Sequence, residues 1–249
     1  MSLPKLKYLI PALTNRRNWI TLLRFPSVYT NPIASLKRYV MKNGKYPTTW
    51  SVKTKHGIRN FHLGNYFDFD TLNAVFCRND YPAISDIKTI VDLGANIGIA
   101  SSYFLDNSPK ATVYAFEPNP RNFNNLEKNL QDWMDNVFLH EAAVAEYKGE
   151  ATFYLEHSGR SGSLIAKHKE SINVEVLEIN EVLNDIITKN GFIDLLKIDI
   201  EGYEEQVLMA IRPEILSKIM VVYAEYRGAF RLEGFDKRQI GNVTVFSRN

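Results

Sequence analysis

The segment from Asp92 to Gly98, with the sequence DLGANIG, has the composition of a ligand-binding turn. Glycine lets the backbone approach a ligand closely, and the N-terminus of a following helix carries a partial positive charge that suits a carboxylate or a phosphate. Asn96 stands where the Gly-x-Gly-x-x-Gly dinucleotide fingerprint needs its second glycine, and no Gly-Lys-Ser/Thr follows as in a P-loop. The turn therefore favours the amino-acid end of a cofactor over a bulky pyrophosphate.

A second chemically informative residue, Glu117, lies 25 residues after Asp92 at the end of the next predicted strand. A carboxylate in that position can accept hydrogen bonds from both hydroxyls of a ribose. Glu117 alone is more often a solvated strand-end acid. Taken with the glycine turn, it indicates a nucleoside-like cofactor.

These residues require a parallel sheet to bring them together, and the chain from residue 88 has the matching strand-helix alternation. Because ligands of open α/β sheets lie beyond the carboxyl ends of the strands, residues just after each strand carry most weight. The last segment, 242–247, is expected to pair antiparallel at the sheet edge. The predicted strands are 89–93, 112–116, 137–144, 192–200 and 219–224; short extra strands are expected at 151–155 and 174–179, and helices at 97–105, 120–130, 181–190 and 202–211.

The N-terminal part differs sharply in charge. Residues 1–67 contain twelve Lys or Arg and no Asp or Glu, which leaves 18 basic and 28 acidic residues in the remainder. We expect a small basic α+β cap over residues 1–81 and a catalytic domain over 82–249. The cap is predicted to contain a helix over 19–25 ended by Pro26, a helix over 31–43, a hairpin of 48–54 with 58–63, and a helix or loop over 67–81.

Composition excludes several classes of protein. The single cysteine, Cys77, excludes an intramolecular disulfide, and no Cys/His cluster has zinc-ligand spacing. Without an apolar run of membrane length or a signal-peptide h-region, we expect a cytoplasmic protein, peripheral at the membrane if its basic segment binds there. That segment suits an anionic membrane surface or an acidic glycan, with nucleic acid least favoured; the alternative is a merely solvated basic face.

Three stretches together resemble the FkbM-type methyltransferases: VDLGANIG at 91–98, FEPN at 116–119 and LKIDIEGYE at 196–204. The resemblance covers residues 85–226. It implies a class I methyltransferase fold, Rossmann-like and doubly wound, that uses S-adenosylmethionine and usually methylates a hydroxyl of a sugar, glycan or polyketide. The C-terminus departs from the family, since only about twenty residues follow the fifth strand.

Carried over by position, the resemblance implies roles for individual residues. The glycine turn would hold the amino-acid end of the cofactor, Glu117 its ribose, and Glu141 with Ala142 would lie near adenine. Ser163 matches a family turn near the site. The predicted cofactor-binding residues are Asp92, Gly94, Ala95, Asn96, Gly98, Glu117, Pro118, Asn119, Glu141, Ala142 and Ser163.

The strand end at Lys197, Asp199 and Glu201 is the predicted catalytic element. Methyl transfer to a hydroxyl needs alignment of the oxygen and removal of its proton, and Asp199 is the favoured base. Glu201 is the other candidate, unless it only begins the next helix. Lys197 shares the strand face of Asp199, and pairing with it would make Asp199 an orienting group instead.

Other interpretations remain open. Asp199 and Glu225 could hold a divalent cation such as magnesium that lowers the pKa of the hydroxyl. Tyr226 and Arg227 are candidate substrate contacts, whereas His140, His157 and His168 are scattered and are expected at the surface or in turns. At the level of function, a nicotinamide-dependent oxidoreductase and a non-catalytic cofactor-binding scaffold are the alternatives to the methyltransferase.

Overall fold

The computed structural model describes residues 16–42, 44–156, 162–165 and 169–248. The chain divides into two compact units, Met1–Asn79 and Asp80–Asn249. Each is described separately below.

The first unit is an α+β assembly built around a hairpin. It contains helices α1 (Arg16–Val28), α2 (Pro32–Met41) and α3 (Tyr66–Leu72), a π-helical turn (Asn73–Cys77), and strands β1 (Thr48–Thr54) and β2 (Gly57–Leu63). The two strands pair antiparallel across all seven positions. An aromatic core joins the hairpin to the helices, with Phe69 against Tyr29 and Trp50 at centroid distances of 5.6 and 5.5 Å. The predicted hairpin is confirmed.

The ends of α1 and α2 differ from prediction in detail. Pro26 does not end α1, which continues to Val28, because a proline in the last turn removes only one hydrogen bond of a helix that is already closing. Helix α2 is capped by Asn31, whose side chain accepts the backbone N–H of Ala34, and Pro32 is the first helical residue. Lys42 takes the left-handed conformation that ends this helix; residue 43, the last of the predicted helix, lies outside the described residues.

Helix α2 turns its apolar side chains outward. Ile33, Leu36 and Val40, which have helical spacing in the sequence, are exposed, whereas the small polar Ser35 is the buried residue. The inner side of the helix is polar instead: Trp50 donates its indole N–H to the Ser35 hydroxyl, at 3.1 Å, and the Arg38 guanidinium lies 4.4 Å from the Trp50 ring centroid. The usual inward orientation of an amphipathic helix is therefore reversed here.

The second unit is an α/β domain whose central sheet, within the described ranges, has seven strands in the order β12-β13-β11-β10-β3-β4-β5. Strands β3, β4, β5, β10 and β11 are parallel, and β13 is antiparallel to both of its neighbours. The antiparallel strand thus lies one place in from the edge, and β12 forms the edge itself. The strands are β3 (Thr89–Leu93), β4 (Thr112–Phe116), β5 (Val137–His140), β10 (Ile193–Ile198), β11 (Ile219–Ala224), β12 (Phe235–Ile240) and β13 (Val243–Arg248).

Helices cover both faces of this sheet, as in a doubly wound Rossmann-like fold. One face packs Val91, Ile198 and Val222 against helices α6, α7 and α8, while on the other Phe104 of α4 lies 6.3 Å from the Tyr223 ring centroid. The helices are α4 (Ile99–Asn107), α5 (Pro120–Leu130), α6 (Ile179–Asn190), α7 (Glu204–Ala210) and α8 (Pro213–Leu216). Helix α4 begins two residues later than predicted because Gly98 has φ 81° and cannot yet be helical.

A separate small sheet, four-stranded among the residues described, follows β5. Its strands are β6 (Ala143–Ala145), β7 (Gly149–Leu155), β8 (Gly162–Ser163) and β9 (Glu170–Glu178), in the order β6-β9-β7-β8. The single strand predicted over 137–144 is therefore wrong. The chain leaves the central sheet after His140, and Ala143–Ala145 pairs with β9 instead.

Candidate active site

A cleft opens at the carboxyl ends of β3, β4 and β10. The space in the cleft, including the part open to solvent, is about 610 Å³. Its lining is polar at the strand ends and apolar along the small sheet. The lining residues are Gly94, Asn96, Phe116, Glu117, Pro118, Asn122, Ala142, Ala143, Val144, Phe153, Gly162, Leu164, Asp199, Ile200, Glu201 and Tyr203.

The glycine turn is held tightly against its neighbouring strands. The backbone N–H groups of Gly94 and Ala95 both donate to the Phe116 carbonyl, at 3.0 and 2.9 Å. Gly94 has φ 74°, and a Cβ there would lie 1.9 Å from the Asp199 carbonyl oxygen. Glycine is therefore required twice at this position, once by the backbone conformation and once by the approach of β10.

Glu117 is a buried carboxylate at the end of β4. Its Oε2 accepts the backbone N–H of Asn96 and its Oε1 accepts that of Asn119, both at 2.9 Å. Burial raises the pKa of Glu117 to about 7, although these N–H groups oppose the shift. The Asn122 side chain also hydrogen-bonds to this carboxylate, which leaves about one of its four acceptor positions for a further donor such as a ribose hydroxyl.

Asp92 and Lys197 form a buried ion pair between adjacent strands. The Lys197 Nζ lies 2.8 Å from Asp92 Oδ1 and 3.0 Å from the Gly94 carbonyl oxygen, and the Ser101 hydroxyl donates to Asp92 Oδ2 at 2.5 Å. Burial alone lowers the pKa of Lys197, but the carboxylates of Asp92 and Asp199 outweigh it and hold that pKa above its ordinary value. The Asp92–Lys197 pair thus stabilises the glycine turn through the hydrogen bond from Lys197 to the Gly94 carbonyl.

Asp199 is the acidic side chain that β10 presents to the cleft. Its Oδ2 accepts the Tyr81 hydroxyl at 3.2 Å and lies 3.6 Å from Lys197 Nζ. The predicted pairing with Lys197 exists, but Asp92 is the closer partner of the lysine. Asp199 also raises the pKa of Glu225, at the end of β11, to about 8, with burial as the second cause. Two strand-end carboxyls therefore interact closely enough that one of them favours its protonated form.

The tight turn after Asp199 projects Glu201 into the cleft lining. Glu201 has φ 55°, and its carbonyl accepts the Ser163 hydroxyl at 3.0 Å. The buried Glu204 closes the turn by accepting the backbone N–H groups of Ile200 and Gly202, at 3.0 to 3.1 Å. Glu204, rather than Glu201, is thus the acid that caps this turn ahead of α7.

The structure separates the predicted site residues into two groups. Gly94, Asn96, Glu117, Pro118, Ala142, Asp199 and Glu201 line the cleft. The others that were predicted lie behind or beside it, outside the lining formed by the described residues: Asp92, Ala95, Gly98, Asn119, Glu141, Lys197 and Ser163. Ala95, Gly98 and Asn119 shape the two turns, and Glu141 is exposed.

The cation site expected from the sequence has two candidate ligands, the carboxylates of Asp199 and Glu225. Among residues 16–42, 44–156, 162–165 and 169–248, no group of three or more His, Cys, Asp or Glu side chains is placed to hold a metal ion.

The structure gives Tyr226 and Arg227, the two candidate substrate contacts, hydrogen-bond partners within the protein. The Tyr226 hydroxyl accepts the N–H of Phe230, and Arg227 donates to Asn242.

Some lining residues carry no signal in the sequence. Tyr203 lies within the stretch 196–204, where the sequence gives it no role of its own, and its hydroxyl donates to Glu146 at 2.7 Å. Phe153, Gly162 and Leu164 come from the small sheet, whose packing on the strand ends no local pattern reveals. Of the histidines, His140 stacks on Phe116 with a centroid distance of 4.6 Å; His157 and His168 lie outside the described residues.

The chain is similar in sequence to several named methyltransferases. The chain is 25% identical to Methyltransferase 1 of Beauveria bassiana, over 61% of this chain and 70% of that protein. It is 26% identical to the 2-O-methyltransferase NoeI of Sinorhizobium fredii, over 58% and 65%, and 27% identical to the hexuronic acid methyltransferase AglP of Haloferax volcanii, over 55% of each. The chain thus spans less than two thirds of the length of the latter two.

The match to a family is more extensive. Residues 92–241 match the family described as the Methyltransferase FkbM domain, a range that includes β4, β5, β10, β11 and β12 and the end of β3 but not β13. The fold is the doubly wound, mostly parallel sheet that the resemblance implies, and β13 is its reversed strand. The chain belongs to the FkbM methyltransferase family.

Proposed function

We propose that this chain is an S-adenosylmethionine-dependent O-methyltransferase that acts on a hydroxyl of a sugar, a glycan or a related natural product. The observation that carries the proposal is the cleft, which joins a glycine turn and the buried Glu117 to the acidic strand end at Asp199. Membership of the FkbM family supports methyl transfer. The names of the NoeI and AglP relatives support an oxygen acceptor and a sugar-acid substrate class.

The cofactor half of the cleft has the donors and acceptors that the proposal needs. Glu117 has an acceptor position for a ribose hydroxyl, and the Gly94 turn brings backbone close to the space in front of it. Ala142, Phe153 and Leu164 supply an apolar wall suited to a flat base. S-adenosylmethionine, when bound, supplies a methyl group already activated as a sulfonium.

The protein must then position the acceptor and take its proton. The cofactor would supply the methyl group, and the hydroxyl proton of the acceptor would pass to a carboxylate of the cleft. Asp199 is the proposed acceptor of that proton, since it lines the cleft and its Oδ2 is held by Tyr81. Positioning of the acceptor would supply the larger share of the rate, and proton removal the smaller one.

The test is binding of S-adenosylhomocysteine to the purified protein by isothermal titration calorimetry. We expect measurable binding to the wild type and a loss of about 1 to 3 kcal/mol in Glu117→Ala, because the ribose hydroxyls lose their acceptor. Glu141→Ala is the matched control: it removes a carboxylate that follows β5 as Glu117 follows β4, but that is exposed and outside the cleft lining.

Absence of binding to the wild type would refute the proposal. Equal losses in Glu117→Ala and Glu141→Ala would refute the ribose assignment. The acceptor class is tested separately, by mass-spectrometric detection of a 14-dalton gain on uronic acids and neutral sugars, with about 14 daltons being the mass of one added CH₂ unit. Methylation of an amine but of no hydroxyl would exclude the O-methyltransferase.

A further inference from the structure

The first unit exposes large apolar side chains on two neighbouring helices. In α2, Ile33, Val40 and Met41 are 80%, 61% and 48% exposed, and in α1 Leu23 is 78% exposed. Leu36 completes the set, which we call the apolar face: Leu23, Ile33, Leu36, Val40 and Met41. The two helices contact each other through Phe25 and Tyr39, whose ring centroids are 5.6 Å apart.

The fold itself maintains this exposure. The inner side of α2 is occupied by Ser35, by Arg38 stacked between the Tyr46 and Trp50 rings at 4.7 and 4.4 Å, and by Tyr39, whose hydroxyl donates to Asn18. Rotating α2 to bury its apolar residues would break these contacts. It would also move the Arg38 guanidinium away from the two aromatic rings and into solvent. The outward apolar face is therefore a stable property of the unit.

The charged residues in and around α1 and α2 are all basic. No Asp or Glu occurs before Asp68, and α1 and α2 with their flanks carry Arg16, Arg24, Lys37 and Lys42 among their exposed residues. Lys37 is four residues from both Ile33 and Met41 and shares their side of the helix, where a long lysine can keep its charge in water beside an apolar surface. An apolar helix face that carries cations is a pattern of helices that lie in the interface of an anionic membrane. Cations near such a surface are attracted to its negative potential, while the apolar side chains enter the boundary between headgroups and acyl chains.

We propose that the apolar face docks on an anionic lipid bilayer, with α2 lying in the plane of the interface. An acidic polysaccharide would satisfy the cations but would leave Ile33 and Leu23 against a hydrated surface. A second copy of the chain would bury the apolar face, but a two-fold contact would bring the same cations together without an acidic partner from residues 1–67. Only an anionic bilayer matches both the apolar and the charged part of the surface. No helix of the described chain is long and apolar enough to cross a membrane, so the proposed contact is interfacial.

The test is flotation of the full chain with vesicles of phosphatidylcholine, with and without about 30% phosphatidylglycerol, at about 0.1 and 0.5 M salt. We expect binding to the anionic vesicles that weakens at the higher salt. The variant Ile33→Ser with Val40→Ser should bind at least tenfold more weakly, since each loses the burial of a large apolar side chain. The pair Lys37→Gln and Lys42→Gln should lose about fivefold for each cation removed.

A matched control removes exposed apolar side chains elsewhere. Phe138 and Met209 lie in the second unit and are 51% and 65% exposed, so Phe138→Ser with Met209→Ser should bind vesicles as the wild type does. Circular dichroism and binding of S-adenosylhomocysteine should be unchanged in all these variants, which separates this test from that of the proposed function. Equal binding to neutral vesicles, binding to heparin but not to vesicles, or dimerisation abolished by Ile33→Ser without any vesicle binding would each overturn the proposal.

Discussion

Glu117 should lose its proton when the cofactor binds, and the number of protons released can be worked out from the site. Its pKa is raised to about 7 by burial, so about half of the molecules carry a protonated Glu117 at pH 7. Ribose hydroxyls that donate to the carboxylate favour its charged form and lower the pKa. Binding at pH 7 should therefore release about 0.5 proton from this group, falling to about 0.03 at pH 8.5.

The assay is calorimetric titration with S-adenosylhomocysteine in buffers of different ionisation enthalpy at one pH. The slope of the observed enthalpy against the ionisation enthalpy of the buffer gives the number of protons exchanged. The ligand contributes its own amino group, so the informative quantity is the difference between the wild type and Glu117→Gln. That difference should be about 0.5 proton at pH 7 and nearly zero at pH 8.5.

A second carboxyl could imitate this result and needs its own control. Glu225 has a pKa of about 8, raised chiefly by Asp199, and would also titrate in this range. Glu225→Gln should retain the proton release assigned to Glu117. A slope in Glu117→Gln equal to that of the wild type at pH 7 would refute the reasoning, as would a slope that disappears only in Glu225→Gln.

Three further predictions concern the supports of the site. Gly94→Ala should lower the melting temperature and abolish cofactor binding, because its Cβ meets the Asp199 carbonyl; Gly57→Ala, also at positive φ but with nothing within 4 Å, should show only the smaller cost of backbone strain. Lys197→Met should cost about 3 to 5 kcal/mol in urea unfolding, since it leaves Asp92 buried and unpaired, and adding Asp92→Asn should recover part of that loss. Asp199→Asn should lower kcat by about 10²- to 10⁴-fold while the dissociation constant of S-adenosylhomocysteine stays within about threefold; an unchanged kcat would remove Asp199 as the base.

The sequence predicts the central sheet well because its strands are buried on both faces. Strands β3, β4 and β11 coincide with the predicted ranges, since their continuous apolar runs leave no other interpretation. Strand β12 was not predicted: its sequence FDKRQI alternates weakly and is mostly exposed, as an edge strand can be. The small sheet was predicted only as isolated strands, because pairing between distant segments is not encoded in local periodicity.

The candidate site likewise contains some residues that the sequence predicts and others that it does not. Glu117 could be located from its place after a predicted strand, because parallel strands bring their carboxyl ends to one edge, whereas Asp199 was located with the help of the family resemblance. Tyr81 could not be predicted as part of the site, because its contact with Asp199 joins residues that are 118 positions apart in the sequence. The outward orientation of α2 was equally hidden, because periodicity shows that an apolar stripe exists and not which side of the helix the protein buries.

The small sheet that follows β5 forms one wall of the cleft, whereas the floor belongs to the central sheet. The floor consists of backbone turns fixed by the register of β3, β4 and β10, where a single added Cβ is not tolerated. The wall comes from Phe153 of β7, Gly162 of β8 and Leu164 just after it, and among the described residues these strands pair within the small sheet. Insertions or deletions between those strands can therefore change the shape of the apolar wall while the backbone turns of the floor stay as they are. Relatives of this chain could then differ in the lengths of these hairpins and still share the strand-end motifs.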